Sequence, residues 1–259
     1  MSAKLAQVEL PKSLEVEWHD KIALLRIVRP EKRNALNDEI VLGIDTFFTN
    51  IPEHVRAVVI EAGGENFSAG LDLSEITERS TIAGVAHSMM WHAAFDKIEC
   101  GRVPVVSVLK GAVVGGGLEL ASATHIRVAE KSAYYALPEG QRGIFVGGGG
   151  SVRVPRLIGA HRMADMMLTG RVYDADTGHA LGISHYLVEN GQGLATAFEI
   201  AGKIVSNAPI TNFAVIQALP RIAQANPREG FLIESLMAAV AENERRRQRT
   251  PARIPRKGG

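Results

Sequence analysis

The chain of 259 residues has a single cysteine, Cys100. One cysteine cannot form a disulfide within the chain, and it excludes the zinc sites that are built from clustered cysteines. Cys100 stands a few residues before the apolar run 103–109. We therefore expect it to be a small buried core residue and not a nucleophile.

The sequence has no excess of either charge. Its 29 lysine and arginine residues face 28 aspartate and glutamate residues, which gives a net charge of +1. Such a balance provides no large field to attract nucleic acid or a membrane surface, so we expect neither as a partner. The exception is the basic tail, residues 245–259, which carries a run of arginines. A solvated terminus is its simplest interpretation.

Long apolar runs are also missing. No segment approaches the roughly 18 uninterrupted apolar residues that a membrane span needs. Residues 1–11 lack the apolar stretch of a secretory signal. We therefore expect a cytoplasmic protein.

Several familiar site motifs are absent. No glycine loop ends in Lys-Ser or Lys-Thr, as a P-loop would. Val152 replaces the last glycine of a dinucleotide-binding fingerprint, and Ser68 lacks the preceding glycine of a nucleophile elbow. The eight histidines show no metal-ligand spacing. We expect His87 and His92, five apart on a predicted helix, to have packing or solvent roles.

Two glycine turns and two acids are what the chain does offer. The run 103–109 predicts a buried strand, and glycines 115–117 then lead into a helix over 118–123 that carries Glu119. A second turn, residues 63–70, follows the predicted strand 57–62. Helix starts after such turns expose unpaired N–H groups. One glycine turn alone is better explained by close packing, but two from adjacent parallel strands could direct two N–H groups at one oxygen, as an oxyanion hole does.

The acids have simpler explanations when they are taken singly. Glu119 could interact with the helix dipole, and Glu139, which follows Glu119 by 20 residues, could be a surface charge. Asp72 is best explained as a helix cap.

The predicted elements change character along the chain. Strands and helices alternate as far as residue 193, whereas residues 194–259 show helical periodicity alone. This order predicts an α/β core over residues 1–193 and a helical region with the basic tail over residues 194–259.

Together these segments resemble the crotonase superfamily of enoyl-CoA hydratases and isomerases, over nearly the whole chain. The residues that carry the resemblance occur in the family's order and spacing: Arg29-Pro30, 34–37, 67–73, Gly111, 115–121, Pro138-Glu139, Gly143, Gly149-Gly150, 156–159, 168–170 and 180–183. Each segment is a weak signal alone, and the set is specific to the family.

The resemblance implies an α/β fold, a spiral of ββα repeats whose C-terminal helical region forms homotrimers or hexamers. It also implies an acyl-CoA thioester substrate, with coenzyme A as part of that substrate and no metal or redox cofactor. By the same resemblance, the backbone N–H groups of Leu71 and Gly116 form the oxyanion hole, and Glu119 and Glu139 are the catalytic acids. The residues expected to contact the CoA substrate are Arg33, Ala35, Ala69, Leu71, Asp72, Leu73 and Gly116.

The expected reaction is the addition of water across the C2=C3 bond of a 2-enoyl-CoA. Another crotonase reaction, such as Δ3–Δ2 isomerisation with Glu139 alone, is the closest alternative, and a non-catalytic CoA-ester or RNA binder is a more distant one. Gly147 replaces the aspartate of diene isomerases, which disfavours that reaction. Two departures from the family pattern are His125, where aspartate is frequent, and residues 145–148, where a Pro-Gly step is usual. We expect the helix around residues 89–91 to border the acyl pocket.

Overall fold

The computed structural model describes residues 9–75 and 78–249, with the backbone alone for Glu75 and residues 245–249. Nine strands occur in these ranges: β1 (Leu14–His19), β2 (Ile22–Ile27), β3 (Ala57–Ala62), β4 (Val105–Leu109), β5 (Ala112–Val114), β6 (Ile126–Glu130), β7 (Tyr134–Ala136), β8 (Tyr173–Asp174) and β9 (Tyr186–Val188).

The strands form two sheets. The larger has the order β1-β2-β3-β4-β6-β9, in which β1 and β2 are an antiparallel hairpin and all other neighbours are parallel. The smaller has the order β5-β7-β8, with β5 parallel to β7 and β7 antiparallel to β8. Every residue of β3 and β4 is buried, as expected for parallel strands that are covered on both faces.

Ten helices accompany the strands in the described ranges. They are α1 (Asp38–Thr49), α2 (Thr81–Glu99), α3 (Gly116–Ala123), α4 (Gly150–Ile158), α5 (Ala160–Thr169), α6 (Ala175–Leu181), α7 (Gly193–Ser206), α8 (Pro209–Gln217), α9 (Leu219–Ile222) and α10 (Pro227–Arg249). Short 3-10 turns cover Pro30–Lys32, Leu73–Glu75 and Pro138–Arg142.

The helix ends follow from capping residues in the sequence. The Asn37 side chain accepts a hydrogen bond from the Ile40 amide at 3.0 Å and starts α1, and Asp174 starts α6 in the same way. Gly170 closes α5 in the left-handed conformation.

The core lies on both faces of the larger sheet. One cluster joins the strands to apolar residues of α1 and α2, among them Ile44 and Phe95. The other packs Leu24, Val59 and Val106 of the strands against Ala197 and Ile200 of α7.

The chain divides into two compact units, Met1–Val205 and Ser206–Gly259. The boundary predicted at residue 193 placed α7 with the C-terminal region, but the apolar face of α7 packs on the sheet and α7 belongs to the first unit. In the second unit, α8, α9 and α10 pack against one another. The basic tail lies outside the residues whose side chains are described.

One other expectation is corrected. Cys100 is exposed and is not a core residue, because α2 continues to Glu99 and β4 starts only at Val105, which leaves Cys100 at the helix end. The strands β5 and β8 were not predicted. Within the described ranges, no helix is long and apolar enough to cross a membrane.

Candidate functional site

The first glycine turn connects β5 to α3. Gly115 adopts a φ of 52°, and a Cβ there would lie 2.7 Å from Oε1 of Glu139, so glycine is required twice over. Helix α3 begins at Gly116, whose N–H group therefore has no partner within the helix.

The second turn presents the amide of Leu71. The Leu36 amide donates to the Gly70 carbonyl at 2.7 Å, and the Asp72 amide donates to the Leu36 carbonyl at 2.8 Å. Because successive amides of an extended segment point to opposite sides, the N–H group of Leu71 points away from Leu36. Among the described residues, no oxygen accepts a hydrogen bond from the amide of Leu71 or of Gly116.

The two turns meet. The Val114 amide donates to the Ser68 carbonyl at 3.0 Å and holds the segments side by side. A Cβ on Gly70 would lie 3.1 Å from the Gly116 nitrogen, and one on Gly116 would lie 3.4 Å from the Leu71 nitrogen. The structure thus brings the two predicted donors together, where both can reach one oxygen atom.

Glu119 is buried beside these amides, with only 4% of its surface exposed. Its Oε1 accepts hydrogen bonds from the amides of Gly148 and Gly150, each at 2.8 Å. Burial raises the pKa of Glu119, while these amides and the charge of Arg153 act in the opposite direction. The carboxyl group is therefore fixed in orientation. No pattern in the sequence indicated this role for glycines 147–150.

Glu139 has a different environment. It is buried, and its Oε2 has no hydrogen-bond partner among the described residues. Burial, and to a smaller extent the charge of Glu119, raise the pKa of Glu139 to about 7. A carboxyl group with this pKa can carry or accept a proton at neutral pH.

Both acids and both amides line one cavity of about 420 Å³. The other lining residues are Arg79, Gly84, His87, Ser88, Trp91, Ile144, Phe145, Val146, Gly147 and Gly148. The hypothesis that Glu119 packs only against the helix dipole and that Glu139 is a surface charge does not describe this geometry.

Several wall residues of this cavity were not predicted. His87 was expected to have a packing or solvent role, yet it lines the cavity and its Nε2 lies 2.6 Å from Oδ1 of Asp38. Of residues 89–91, only Trp91 lines the cavity, and Met89 is exposed. The wall residues of α2 recur at helical spacing, at 84, 87, 88 and 91. That periodicity is the signal that could have identified them.

A second cavity, of about 300 Å³, adjoins the first at Leu71, which lines both. It is lined by six residues that were predicted to contact CoA and by three others: Arg33, Ala35, Ala69, Leu71, Asp72, Leu73, Glu31, Lys32 and Arg142. The seventh predicted contact, Gly116, lines the first cavity.

Asp72 does cap a short helical turn, as expected, since its Oδ1 accepts from the Ser74 amide at 3.1 Å. It also pairs with Lys32 at 2.9 Å and with Arg29 at 2.7 Å. The hydrogen bond from Lys32 is the main reason that the pKa of Asp72 lies well below its usual range. This residue therefore organises the wall of the second cavity.

His125 lies outside both linings and is structural. Its Nδ1 accepts from the Val105 amide at 3.0 Å, and burial lowers its pKa to about 4. The imidazole is therefore neutral at neutral pH and takes no charge into the core.

The family model for enoyl-CoA hydratase/isomerase matches residues 17–253. The chain belongs to the enoyl-CoA hydratase/isomerase family. The short-chain-enoyl-CoA hydratase of Clostridium acetobutylicum is 34% identical over 223 residues, which cover 85% of each chain. The crotonyl-CoA hydratase of Syntrophomonas wolfei is 30% identical over 219 residues, 83% of this chain and 81% of that one.

A solved structure from Rhodopseudomonas palustris, described as a candidate enoyl-CoA hydratase, is 59% identical and covers 92% of both chains with a TM-score of 0.89. The predicted family, fold class and enzyme class are therefore confirmed. Trimer formation by the C-terminal helices stays a prediction.

Proposed function

We propose that the protein hydrates a 2-enoyl-CoA thioester in the larger cavity, with the acids and amides in the roles given below. The observation that carries this proposal is that one cavity holds two buried carboxyl groups beside two amides with no acceptor among the described residues. The names of the two hydratase relatives support it.

The thioester carbonyl oxygen is placed between the amides of Leu71 and Gly116. Addition of water at C3 moves negative charge onto that oxygen and forms an enolate. Fixed N–H donors stabilise such charge by about 3 kcal/mol each in other oxyanion holes. The donors stabilise the enolate more than the neutral thioester, so they lower the barrier.

Glu119 and Glu139 transfer the protons. One carboxylate takes a proton from the attacking water, and the other carboxyl group supplies the proton at C2. The fixed carboxyl group of Glu119 suits the orientation of water, and the raised pKa of Glu139 suits proton donation. Two such close acids titrate as a pair, so the proposal assigns the two protons to the pair.

The second cavity is proposed to hold the CoA portion. Lys32, Arg33 and Arg142 supply positive charge for its phosphates, and Ala35, Ala69 and Leu73 supply apolar contacts. Since amides stabilise the charge and carboxyl groups move the protons, the proposal includes no metal or redox cofactor. A homotrimeric or hexameric assembly in the cytoplasm is part of the same expectation.

The test is hydration of crotonyl-CoA by the purified protein and by Glu119→Gln. We expect the wild-type protein to hydrate crotonyl-CoA, and we expect kcat of the variant to be lower by about 100-fold or more. Glu130→Gln removes another buried carboxyl group, outside both cavities, and is the matched control. Hydration by Glu119→Gln at the wild-type rate would refute the mechanism. Conversion of 3-enoyl-CoA without any hydration would favour the isomerase alternative instead.

A further inference from the structure

A polar cluster on one wall of the larger cavity has no role in the hydration mechanism. We define the distal cluster as Asp38, Arg79, His87 and the indole N–H group of Trp91. Asp38 Oδ1 lies 2.6 Å from His87 Nε2 and accepts from Trp91 Nε1 at 3.3 Å. Arg79, His87 and Trp91 line the cavity, and Asp38 supports them from behind.

The charges of the distal cluster are only partly used within it. Oδ1 of Asp38 binds His87 and Trp91. Its Oδ2 forms an ion pair with Nη2 of Arg79 at 3.7 Å, a separation too long for a hydrogen bond. In residues 9–75 and 78–249, no hydrogen bond involves the Arg79 guanidinium or the Nδ1 atom of His87. Arg79 therefore brings a cation with available N–H donors to the cavity wall.

The Trp91 ring fixes the distance between the distal cluster and the reacting atoms. Its Cζ3 would lie 3.1 Å from a Cβ on Gly116, and its Cε3 would lie 3.1 Å from one on Gly148. The opposite edge of the same indole carries the Nε1 that binds Asp38. The distal cluster thus begins about one ring width from the oxyanion amides, which a short acyl chain can span.

We propose that Arg79, beside the His87–Asp38 pair, forms an anion subsite, and that the preferred substrate is a short 2-enoyl-CoA whose acyl group ends in a carboxylate. This inference rests on the proposed function and names its substrate class. A guanidinium binds a carboxylate through two parallel charge-assisted hydrogen bonds. The methylene groups between C3 and that carboxylate pack along Trp91 and Val146. Glu119 and Glu139 meet the other end of the acyl chain, so they do not face the distal charge directly.

The turnover test compares two substrates of matched shape. 2-Hexenedioyl-CoA ends in a carboxylate, and 6-methylhept-2-enoyl-CoA carries an isopropyl group in its place. We expect the ratio of their kcat/KM values to favour the diacid by about ten-fold or more, the usual effect of a charge-assisted hydrogen bond. Arg79→Gln should abolish that ratio, and Arg79→Lys should keep part of it. The control is Arg171→Gln, which changes an exposed arginine that pairs with Asp165. It should leave the ratio unchanged.

A binding measurement separates this inference from the proposed function. The saturated esters hexanedioyl-CoA and 6-methylheptanoyl-CoA cannot be hydrated, and their Kd values can be measured by calorimetry. Tighter binding of the diacid by about ten-fold, lost in Arg79→Gln, supports the subsite even if no enoyl-CoA is hydrated. Hydration of crotonyl-CoA together with equal or weaker binding of the diacid would overturn the subsite and leave the hydratase function intact.

Discussion

Arg153 donates a hydrogen bond to the carbonyl oxygen of Gly148 at 3.1 Å, and the amide of the same Gly148 donates to Glu119. Arg153 is itself held by Glu99, 2.6 Å from its Nε. The ion pair between Arg153 and Glu99 therefore fixes the glycine loop that orients Glu119. The positive charge of Arg153 also acts to lower the pKa of Glu119.

We expect Arg153→Gln to shift the acidic limb of the kcat/KM profile to higher pH and to lower kcat by about ten-fold. Loss of a nearby cation raises the pKa of Glu119, so a higher pH is needed to deprotonate the acid pair. Arg153→Lys keeps the charge and should restore the position of the limb. Arg156→Gln is the matched control, because Arg156 contacts the same Glu99 at 3.9 Å but is half exposed and does not bind the loop. An unshifted limb in a folded Arg153→Gln protein would rule out this role.

A methyl group on Gly116 should obstruct the oxyanion site. The added Cβ would lie 3.4 Å from the Leu71 nitrogen and 3.1 Å from the Trp91 ring, where the thioester oxygen has to approach. We expect Gly116→Ala to lower kcat by about 100-fold, the scale of losing one oxyanion donor. Steady-state kinetics with crotonyl-CoA measures this change. Wild-type kcat in the variant would contradict the assigned position of the oxygen.

Gly202→Ala is the matched glycine substitution away from the site, and it should stabilise the protein without changing kcat. Gly202 lies inside α7, and a Cβ there would meet no atom within 4 Å. Alanine is favoured over glycine in a helix interior, so the free energy of unfolding should rise by about 0.5–1 kcal/mol. The urea midpoint should rise with an unchanged m-value, and kcat should stay the same. A lower midpoint would show that the helix face of Gly202 is not open.

The buried carboxyl group of Glu139 should make stability depend on pH. Its pKa is raised from 4.5 in the unfolded chain to about 7 in the folded protein. The folded state therefore binds the proton more tightly, and this contribution is present below pH 4.5 and lost as the pH rises through 7. Glu139→Gln has no carboxyl group to titrate, so its stability should not show this fall with rising pH. Relative to wild type, its unfolding free energy should increase by about 2–3 kcal/mol between pH 5 and pH 8.

Denaturant unfolding at both pH values measures that difference. Glu39→Gln, on an exposed position of α1, controls for the loss of one carboxyl charge. A difference between Glu139→Gln and wild type that does not change with pH would mean that the carboxyl group is not held in a desolvated position.

Local signals in the sequence predicted most of the fold. Capping residues such as Asn37 and Asp174 set helix starts, and the apolar run 57–62 became β3 with the same boundaries. The strands β5 and β8 have three and two residues, too few for an apolar pattern, and they form only because a distant partner supplies their hydrogen bonds. Cys100 was misplaced because a neighbouring apolar run does not reveal where a preceding helix ends.

The site was predictable in part. The first glycine turn and Glu119 could be found because they are adjacent in sequence, whereas Leu71 of the second turn and Glu139 were assigned to the same site only through the resemblance to the crotonase superfamily. The contact between His87 and Asp38 spans 49 residues, and Glu119 is bound by amides 29 and 31 residues away. Such pairs depend on how helices and loops pack over the sheet, and no local pattern encodes them.

The most direct test of the central claim is isotope incorporation from labelled water into the product of crotonyl-CoA. In a mixture of H2(18)O and D2O, the account predicts one (18)O at C3 and one solvent deuteron at C2. Glu119→Gln, Glu139→Gln and the double variant should all be slowed by at least about 100-fold, and the double variant should be little slower than the worse single variant. Double-bond migration without (18)O, or wild-type labelling rates in either single variant, would contradict the account.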